Sequence, residues 1–283
     1  MLWLMLSAAA AAVAVAPPTS VVVTATCPDP TDCTAALQAA IDTAGATMVR
    51  VPKLPGGQPW TVGNGAGWPA RNRSALMLGP ASSHRTILFE PGVVLMAKAG
   101  DFRTGMFVEA VNATNLTLSG YGAAWQMHKS DYADPSKYNH SEDRHALSLR
   151  GCEGFRILGL TLKSSGGDGI YMTGISNKGN DNVKGYCKDV LIQDVVCDDH
   201  YRQGMSVISV VKLRVKNSTF SNTNGTAPAA GDKWSSIYLQ CICSSIRPSI
   251  SRDLPLPDCC HCQASTLSPT TATIGWKTSS SPT

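Results

Sequence analysis

The sequence predicts an all-β chain coiled as a parallel β-solenoid of about 23 residues per coil, and three observations carry that expectation. The segments Arg144-His-Ala-Leu-Ser-Leu149, Gly167-Asp-Gly-Ile-Tyr-Met172 and Arg202-Gln-Gly-Met-Ser-Val207 align without gaps, each alternating apolar with small or polar residues. A second set aligns at a constant distance downstream: Phe155-Arg-Ile-Leu, Val190-Leu-Ile-Gln and Leu213-Arg-Val-Lys. The spacings also agree between sets: Leu147 to Ile170 and Val190 to Leu213 are both 23 residues, while Ile170 to Met205 and Phe155 to Val190 are both 35. Units of an antiparallel sandwich have no reason to keep register across an insertion, whereas coils that share one continuous core must.

Taken in chain order, residues 1–16 are apolar apart from Ser7 and end in Ala14-Val15-Ala16, the pattern of a secretory leader with a small-residue cleavage site. Cys27 and Cys33 flank a Pro/Asp turn and are expected to pair. The stretch Asp32–Asp42 reads as a short amphipathic helix with Asp or Thr near its N-cap, placed to cover the open end of a stack that would otherwise expose edge backbone. Met48-Val-Arg-Val-Pro52 is the first expected strand. Two strands per repeat follow, interrupted by polar insertions at about 127–143 and 176–185, over a solenoid spanning residues 27–231. After Gly231 the period stops, and residues 232–283 read as a low-complexity, disordered tail with five clustered cysteines. That break leads us to expect a C-terminally truncated or aberrantly spliced chain whose last coils are replaced.

Composition narrows the function classes. The 283 residues are 43% apolar and 16% charged, and 24 Lys+Arg against 20 Asp+Glu leave +4, too little for a nucleic-acid footprint. No apolar run is long enough to span a bilayer. Ten cysteines, the leader and six Asn-x-Ser/Thr sequons (Asn72, Asn112, Asn115, Asn139, Asn217 and Asn224) point to a secreted, glycosylated monomer in an oxidising compartment.

Aligned coils place equivalent residues about 4.8 Å apart. Leu147/Ile170/Met205, Leu149/Met172/Val207, Phe155/Val190/Leu213 and Ile157/Ile192/Val215 are therefore core columns. Cys152 and Cys187 share a column at a separation compatible with a coil-to-coil disulfide. Cys197 lies with Leu162 and Phe220, as a buried free thiol. The polar columns gather on one edge: Arg144/Gly167/Arg202, His145/Asp168/Gln203, Asp143/Gly166/Tyr201 and Glu142/Ser165/His200.

The string Asp32-Cys-Thr-Ala-Ala-Leu-Gln-Ala-Ala-Ile-Asp42 followed by Val49-Arg-Val-Pro52 resembles the entry of the pectate-lyase-like superfamily. Asn115-Leu-Thr-Leu-Ser-Gly-Tyr-Gly122, Gly167-Asp-Gly-Ile-Tyr171 and Tyr201-Arg-Gln-Gly-Met-Ser-Val-Ile-Ser209 extend the resemblance over about residues 27–231. It implies a right-handed parallel β-helix and carbohydrate-active chemistry: polysaccharide lyase, polygalacturonase-type hydrolase or uronate epimerase. The chain has no Gly-His-Gly after Asp198-Asp199 and no Asp-Pro-His-Asp, motifs expected of polygalacturonases and alginate epimerases respectively. The fold also serves non-catalytic glycan-binding proteins.

Chemistry at C5 of a uronate needs a cation to neutralise the carboxylate and a base to take the proton. His145, Asp168, His200, Tyr201 and Arg202 are the candidate catalytic residues, with Arg144, Gln203 and Asp199 as candidate substrate contacts. His145 beside Asp168 reads as an oriented base. Hydrolysis would instead draw on the carboxylates of Asp168, Asp198 and Asp199. Each of these has a structural reading as well, since Asp at β-helix corners satisfies turn backbone. No metal ligand set is read, and Ca2+ is the one ion held open as a cofactor. The expected partner is an acidic polysaccharide, with neither nucleic acid nor membrane.

Overall fold

The computed structural model describes residues 20–64, 74–175 and 185–223, together with the backbone of two further strands at 237–239 and 262–265. The leader, Asn72, Asn224 and most of the tail lie outside the described residues.

The chain enters through β1 (Val22–Thr24) and the Cys27–Cys33 disulfide, then forms α1 (Thr34–Ile41), β2 (Met48–Val51) and β3 (Trp60–Val62). Complete coils follow, each of three short strands. They are β4 (Leu76–Leu78), β5 (Thr86–Phe89) and β6 (Val94–Ala97), then β7 (Val108–Val111), β8 (Thr117–Ser119) and β9 (Ala124–Gln126). After helix α2 (Lys129–Tyr132) come β10 (Leu147–Arg150), β11 (Arg156–Leu158) and β12 (Thr161–Lys163), then β13 (Ile170–Thr173), β14 (Cys187–Gln193) and β15 (Val196–Asp198). The next coil is β16 (Met205–Val207), β17 (Val210–Lys216) and β18 (Thr219–Ser221). Within the segment read as an unpatterned tail, β19 (Ile237–Leu239) pairs with β16 and β20 (Cys262–Ser265) pairs with β17.

All pairings between these strands are parallel, and they build three sheets that run the length of the stack. Sheet I is β4-β7-β10-β13-β16-β19, sheet II is β1-β2-β5-β8-β11-β14-β17-β20, and sheet III is β3-β6-β9-β12-β15-β18. This is a parallel β-helix. The expected columns are the observed ones: Leu147↔Ile170↔Met205, Leu149↔Met172↔Val207 and Ile157↔Ile192↔Val215 pair in register. The repeat holds three strands, not the two expected, because each sheet III strand of the later coils starts only three residues after a sheet II strand ends, as at Leu158/Thr161, Gln193/Val196 and Lys216/Thr219, and reads in the sequence as its continuation. The inward column of sheet III, Trp125, Leu162, Cys197 and Phe220, is fully apolar and buried.

Corners are turned by residues at positive φ, stacked in columns. Gly159, Asp194 and Asn217 have φ of 66°, 56° and 45°, and Ser164, Asp199 and Asn222 have 56°, 59° and 54°. Asn, Asp and Gly tolerate this left-handed region best, which explains their recurrence at these positions. Asp194, read as structural, also accepts a hydrogen bond from the Tyr121 hydroxyl at 2.8 Å.

Helix α1 buries Leu37 and Ile41 and closes one end of the stack. β4 is the terminal strand of sheet I, so one of its edges lacks a strand partner. Gln38 supplies the missing groups: its Nε2 donates to the Met77 carbonyl at 2.9 Å and its Oε1 accepts the Met77 N–H at 2.9 Å. A side-chain amide thus stands in for a neighbouring strand.

Cys152 and Cys187 occupy adjacent coils as expected, with Lys188 N–H donating to the Cys152 carbonyl at 2.8 Å. The disulfide expected between them is not formed. Both are buried thiols, directed at the carbonyls of Ala110 and Thr173 at 3.4 Å. Cys197 is a buried thiol as expected.

Candidate functional site

The outward side of sheet I differs from the other two. Glu109, Ser148, Tyr171 and Ser206 stand in register on its outer face. Glu109, Ser148 and Ser206 are only 6%, 0% and 2% exposed although they point away from the core. The equivalent outward row on sheet II contains Arg156 and Arg214, both exposed. Polar groups hidden on the outside of a sheet mark a covered floor. Glu109 is held there by the Ser74 hydroxyl at 2.9 Å and by Arg150 at 3.3 Å. The Ser148 hydroxyl has no hydrogen-bond partner.

The expected polar columns lie where the chain enters sheet I. Residues 166–169 pass through this region with almost no room. A methyl on Gly167 would sit 2.7 Å from the Glu142 carbonyl and 2.8 Å from His145 Nδ1. One on Gly169 would strike the Gly204 carbonyl and sit 2.5 Å from His200 Nε2. Glycine is needed here for close approach of coils. Gly169→Ala is expected to cost about 2 kcal/mol or more by overpacking; a thermal midpoint equal to the parent's would contradict it.

His145, Asp168 and Gln203 form a ladder in which the first two side chains accept the backbone N–H one coil on. Asp168 N–H donates to His145 Nδ1 at 2.9 Å, and Gln203 N–H donates to Asp168 Oδ1 at 3.1 Å. The second carboxylate oxygen, Oδ2, lies 3.5 Å from His145 Nδ1 and has no hydrogen-bond partner. Burial pushes Asp168 up to about 6, against the Arg202 charge and the Gln203 N–H, which pull it down. Burial, aided by the Arg202 charge, takes His145 down to about 3. With Nδ1 accepting, the neutral imidazole carries its proton on Nε2. The ring also stacks on Tyr171, with centroids 4.5 Å apart and planes 8° from parallel.

His200 is fully buried and paired with Ser165, whose hydroxyl lies 2.8 Å from Nδ1. Burial lowers it to about 3 despite the nearby Asp199 charge. His145, Asp168 and His200 are therefore all beneath the surface. The members of the expected set that reach solvent are Tyr201 and Arg202. Arg202, 22% exposed, lies between two carboxylates: Nη1 is 3.3 Å from Glu142 and Nε is 3.9 Å from Asp168. Tyr201 meets the His140 ring edge-on at 6.4 Å.

Three expected substrate contacts are corrected. Arg144 is 1% exposed, and its guanidinium donates to the carbonyls of Phe102, Arg103 and Asn139 at 2.6 to 2.7 Å. It also lies 5.3 Å from the ring centres of Tyr132 and Tyr138, so it fastens the 127–143 insertion to the stack. Gln203 is buried and accepts the Ser206 hydroxyl at 3.2 Å. Asp199 is a corner residue at positive φ that pairs with Lys129 at 2.7 Å and accepts the Ser164 hydroxyl at 2.8 Å. Those bonds outweigh its partial burial and hold it below the usual carboxylate range. Asp198, offered with it for hydrolysis, is engaged by Ser221 and Asn222 at 2.9 and 2.7 Å. Asn112, Asn115, Asn139 and Asn217 of the sequons are exposed.

No family model matches this sequence, and no curated protein matches it. Among solved structures, it is similar to one described as a "putative glycosyl hydrolase" from Parabacteroides merdae, at 14% identity and a TM-score of 0.47, over 73% of this chain and 88% of that one. A second likeness is to the catalytic domain of a GH87 alpha-1,3-glucanase in complex with tetrasaccharides, at 10% identity and a TM-score of 0.15, over 81% and 70% of the two chains.

Glu109, Tyr171 and Glu142 are the site residues that sequence reasoning left unassigned. The first two were within reach of the same alignment, since both fall at the outward parity of the strand repeat.

Proposed function

We propose that this chain is a secreted protein acting on a uronate-containing polysaccharide laid along the outer face of sheet I, by elimination or epimerisation at C5. The observation that carries the reading is the buried outward row Glu109, Ser148 and Ser206, which exists on sheet I and runs toward the partly exposed Tyr201–Arg202 pair. The buried row does not itself meet a sugar; it backs the partly exposed Tyr171 and Arg202, groups on this side that reach solvent. Arg202 takes the substrate carboxylate in a bidentate pair, displacing Glu142, whose side chain is 58% exposed. Tyr201 exchanges the C5 proton. In elimination Tyr201 takes the C5 proton, the C5–H electrons form the C4–C5 double bond, the C4–O4 bond breaks, and the leaving oxygen takes that proton back from Tyr201; in epimerisation Tyr201 takes the proton from one face and passes it to solvent, while water delivers another to the opposite face. Asp168 and His145 act from beneath as positioning residues for Arg202. The Cys27–Cys33 disulfide suits the oxidising compartment this requires.

A second reading is hydrolysis, favoured by the Glu142–Arg202–Asp168 arrangement, which brings two carboxylates to one guanidinium. One assay separates them. Polyuronates are incubated with the protein, with calcium and with a chelator, and both unsaturated-product absorbance and reducing ends are followed. Elimination raises both, hydrolysis only the reducing ends, and epimerisation neither while exchanging solvent hydrogen at C5. Binding without any of these signals would make the chain a glycan-binding protein. Arg202→Gln is expected to lower kcat/KM by about a hundredfold or more; full retention of activity would overturn the assignment.

A further inference from the structure

The outer face of sheet II carries a set of cations that the molecule does not neutralise. Lys212, Arg214 and Lys216 of β17 are all exposed. Arg156 on β11 lies in the same cross-strand row as Arg214, with Leu191 between them, and Lys188 of β14 is exposed one strand away. Asp189 pairs with Arg214 at 2.9 Å, while Glu153 and Asp194 stand at the two margins. Arg156, Lys188, Lys212 and Lys216 form no ion pair among the described residues. Elsewhere on the surface Arg50, Lys98 and Lys137 are paired with Glu90, Asp32 and Asp131. Like charges on neighbouring strands destabilise a sheet, so an unneutralised set of this kind points to an anion supplied from outside.

We infer that this face is a second binding surface, separate from sheet I, for a polyanionic polysaccharide bearing repeating carboxylate or sulfate groups. The patch extends about 13 Å along β17 and about 10 Å across β11, β14 and β17, which suits a linear polymer lying across several rungs. The outward residues between the cations are Leu158, Leu191 and Gln193, none of them aromatic, and the one exposed ring at the margin, Tyr121, is tied to Asp194, whereas single-stranded nucleic acid would use a run of rings for its bases. Nor, among the described residues, does a helix with an apolar face stand beside it to enter a membrane. The surface does not depend on the activity proposed for sheet I, because the two faces share no residue.

The test uses the full chain. Affinity for polygalacturonate, dextran sulfate and neutral dextran is measured at low and high salt. The parent is expected to bind both polyanions, to release them at high salt, and to ignore neutral dextran. The triple substitution Arg156→Gln, Lys188→Gln, Lys216→Gln should weaken polyanion binding about tenfold, while Arg202→Gln leaves the salt-sensitive binding in place. Asp189→Asn with Glu153→Gln should strengthen it severalfold, which guards against a triple variant that merely folds poorly. Unchanged affinity in both charge variants, equal binding of neutral dextran, or tighter binding of single-stranded RNA or phosphatidylserine vesicles would each overturn the inference. Loss of all binding in Arg202→Gln alone would overturn it too, without touching the sheet I reading.

Discussion

Acidification from pH 7 to pH 4 is expected to remove about 4 kcal/mol of folding stability, more than half of it above pH 5, before ordinary surface carboxylates titrate. Two buried histidines cause it. His145 and His200 are held neutral down to about pH 3 by burial, whereas in the unfolded chain each takes a proton near 6.5. Between those values the unfolded state binds protons that the folded state refuses, so stability falls as pH falls. Asp168 works the other way. Its folded value near 6 lies above its unfolded value of 3.8, so within that window the folded state keeps a proton that the unfolded state has lost. The balance is two protons between pH 6.5 and 6, and about one between 6 and 3.8. Urea unfolding at pH 7, 5.5 and 4 measures the slope directly. His200→Asn keeps an acceptor for the Ser165 N–H and should flatten the slope by one proton. A stability independent of pH over this range would show that the two rings are not closed off from water.

Arg144→Met should destabilise the fold by about 3–5 kcal/mol and release the 127–143 insertion. The substitution removes the Arg144 donors from the carbonyls of Phe102, Arg103 and Asn139 and the cation from between Tyr132 and Tyr138. Lysine is a poor replacement, since a single ammonium cannot reproduce a planar fork aimed at three oxygens. Unfolding midpoints give the stability change, and limited proteolysis reports whether the segment around α2 becomes cleavable. If Arg144→Met were as stable as the parent with that segment still protected, the anchoring role would be wrong.

Arg144 also shows where sequence reading stopped. Its column was correctly assigned, because strand register is set by periodic apolar residues such as Leu147, Ile170 and Met205, which are visible in the chain. What its side chain does was not visible: the three carbonyls it meets belong to segments 5 to 42 residues away, and no local pattern announces them. The same holds for Cys152 and Cys187, whose adjacency follows from the period but whose oxidation state does not. His145, Asp168 and His200 were gathered to the right edge, yet their depth depends on the close approach permitted by Gly167 and Gly169. Glu109 was missed because it belongs to a row with serines and a tyrosine, and a search for clustered acids and imidazoles passes over such a row. Sheet III was missed as a sheet because a two-residue corner, such as Gly159-Leu160 or Asp194-Val195, is all that divides its strands from those of sheet II.

The hydrogen bonds of all three sheets run along the axis of the stack, from coil to coil. Tension applied between the first and last coils would therefore load only the few bonds of the outermost turn at a time, and the molecule would unwind in steps. Each released turn of about 23 residues would lengthen the chain by roughly 75 Å. Cys27–Cys33 closes a loop of its own before the first complete turn, and Cys152 and Cys187 remain thiols on successive turns. Among the described residues no covalent link interrupts that unwinding, so mechanical resistance rests on the non-covalent contacts between one turn and the next.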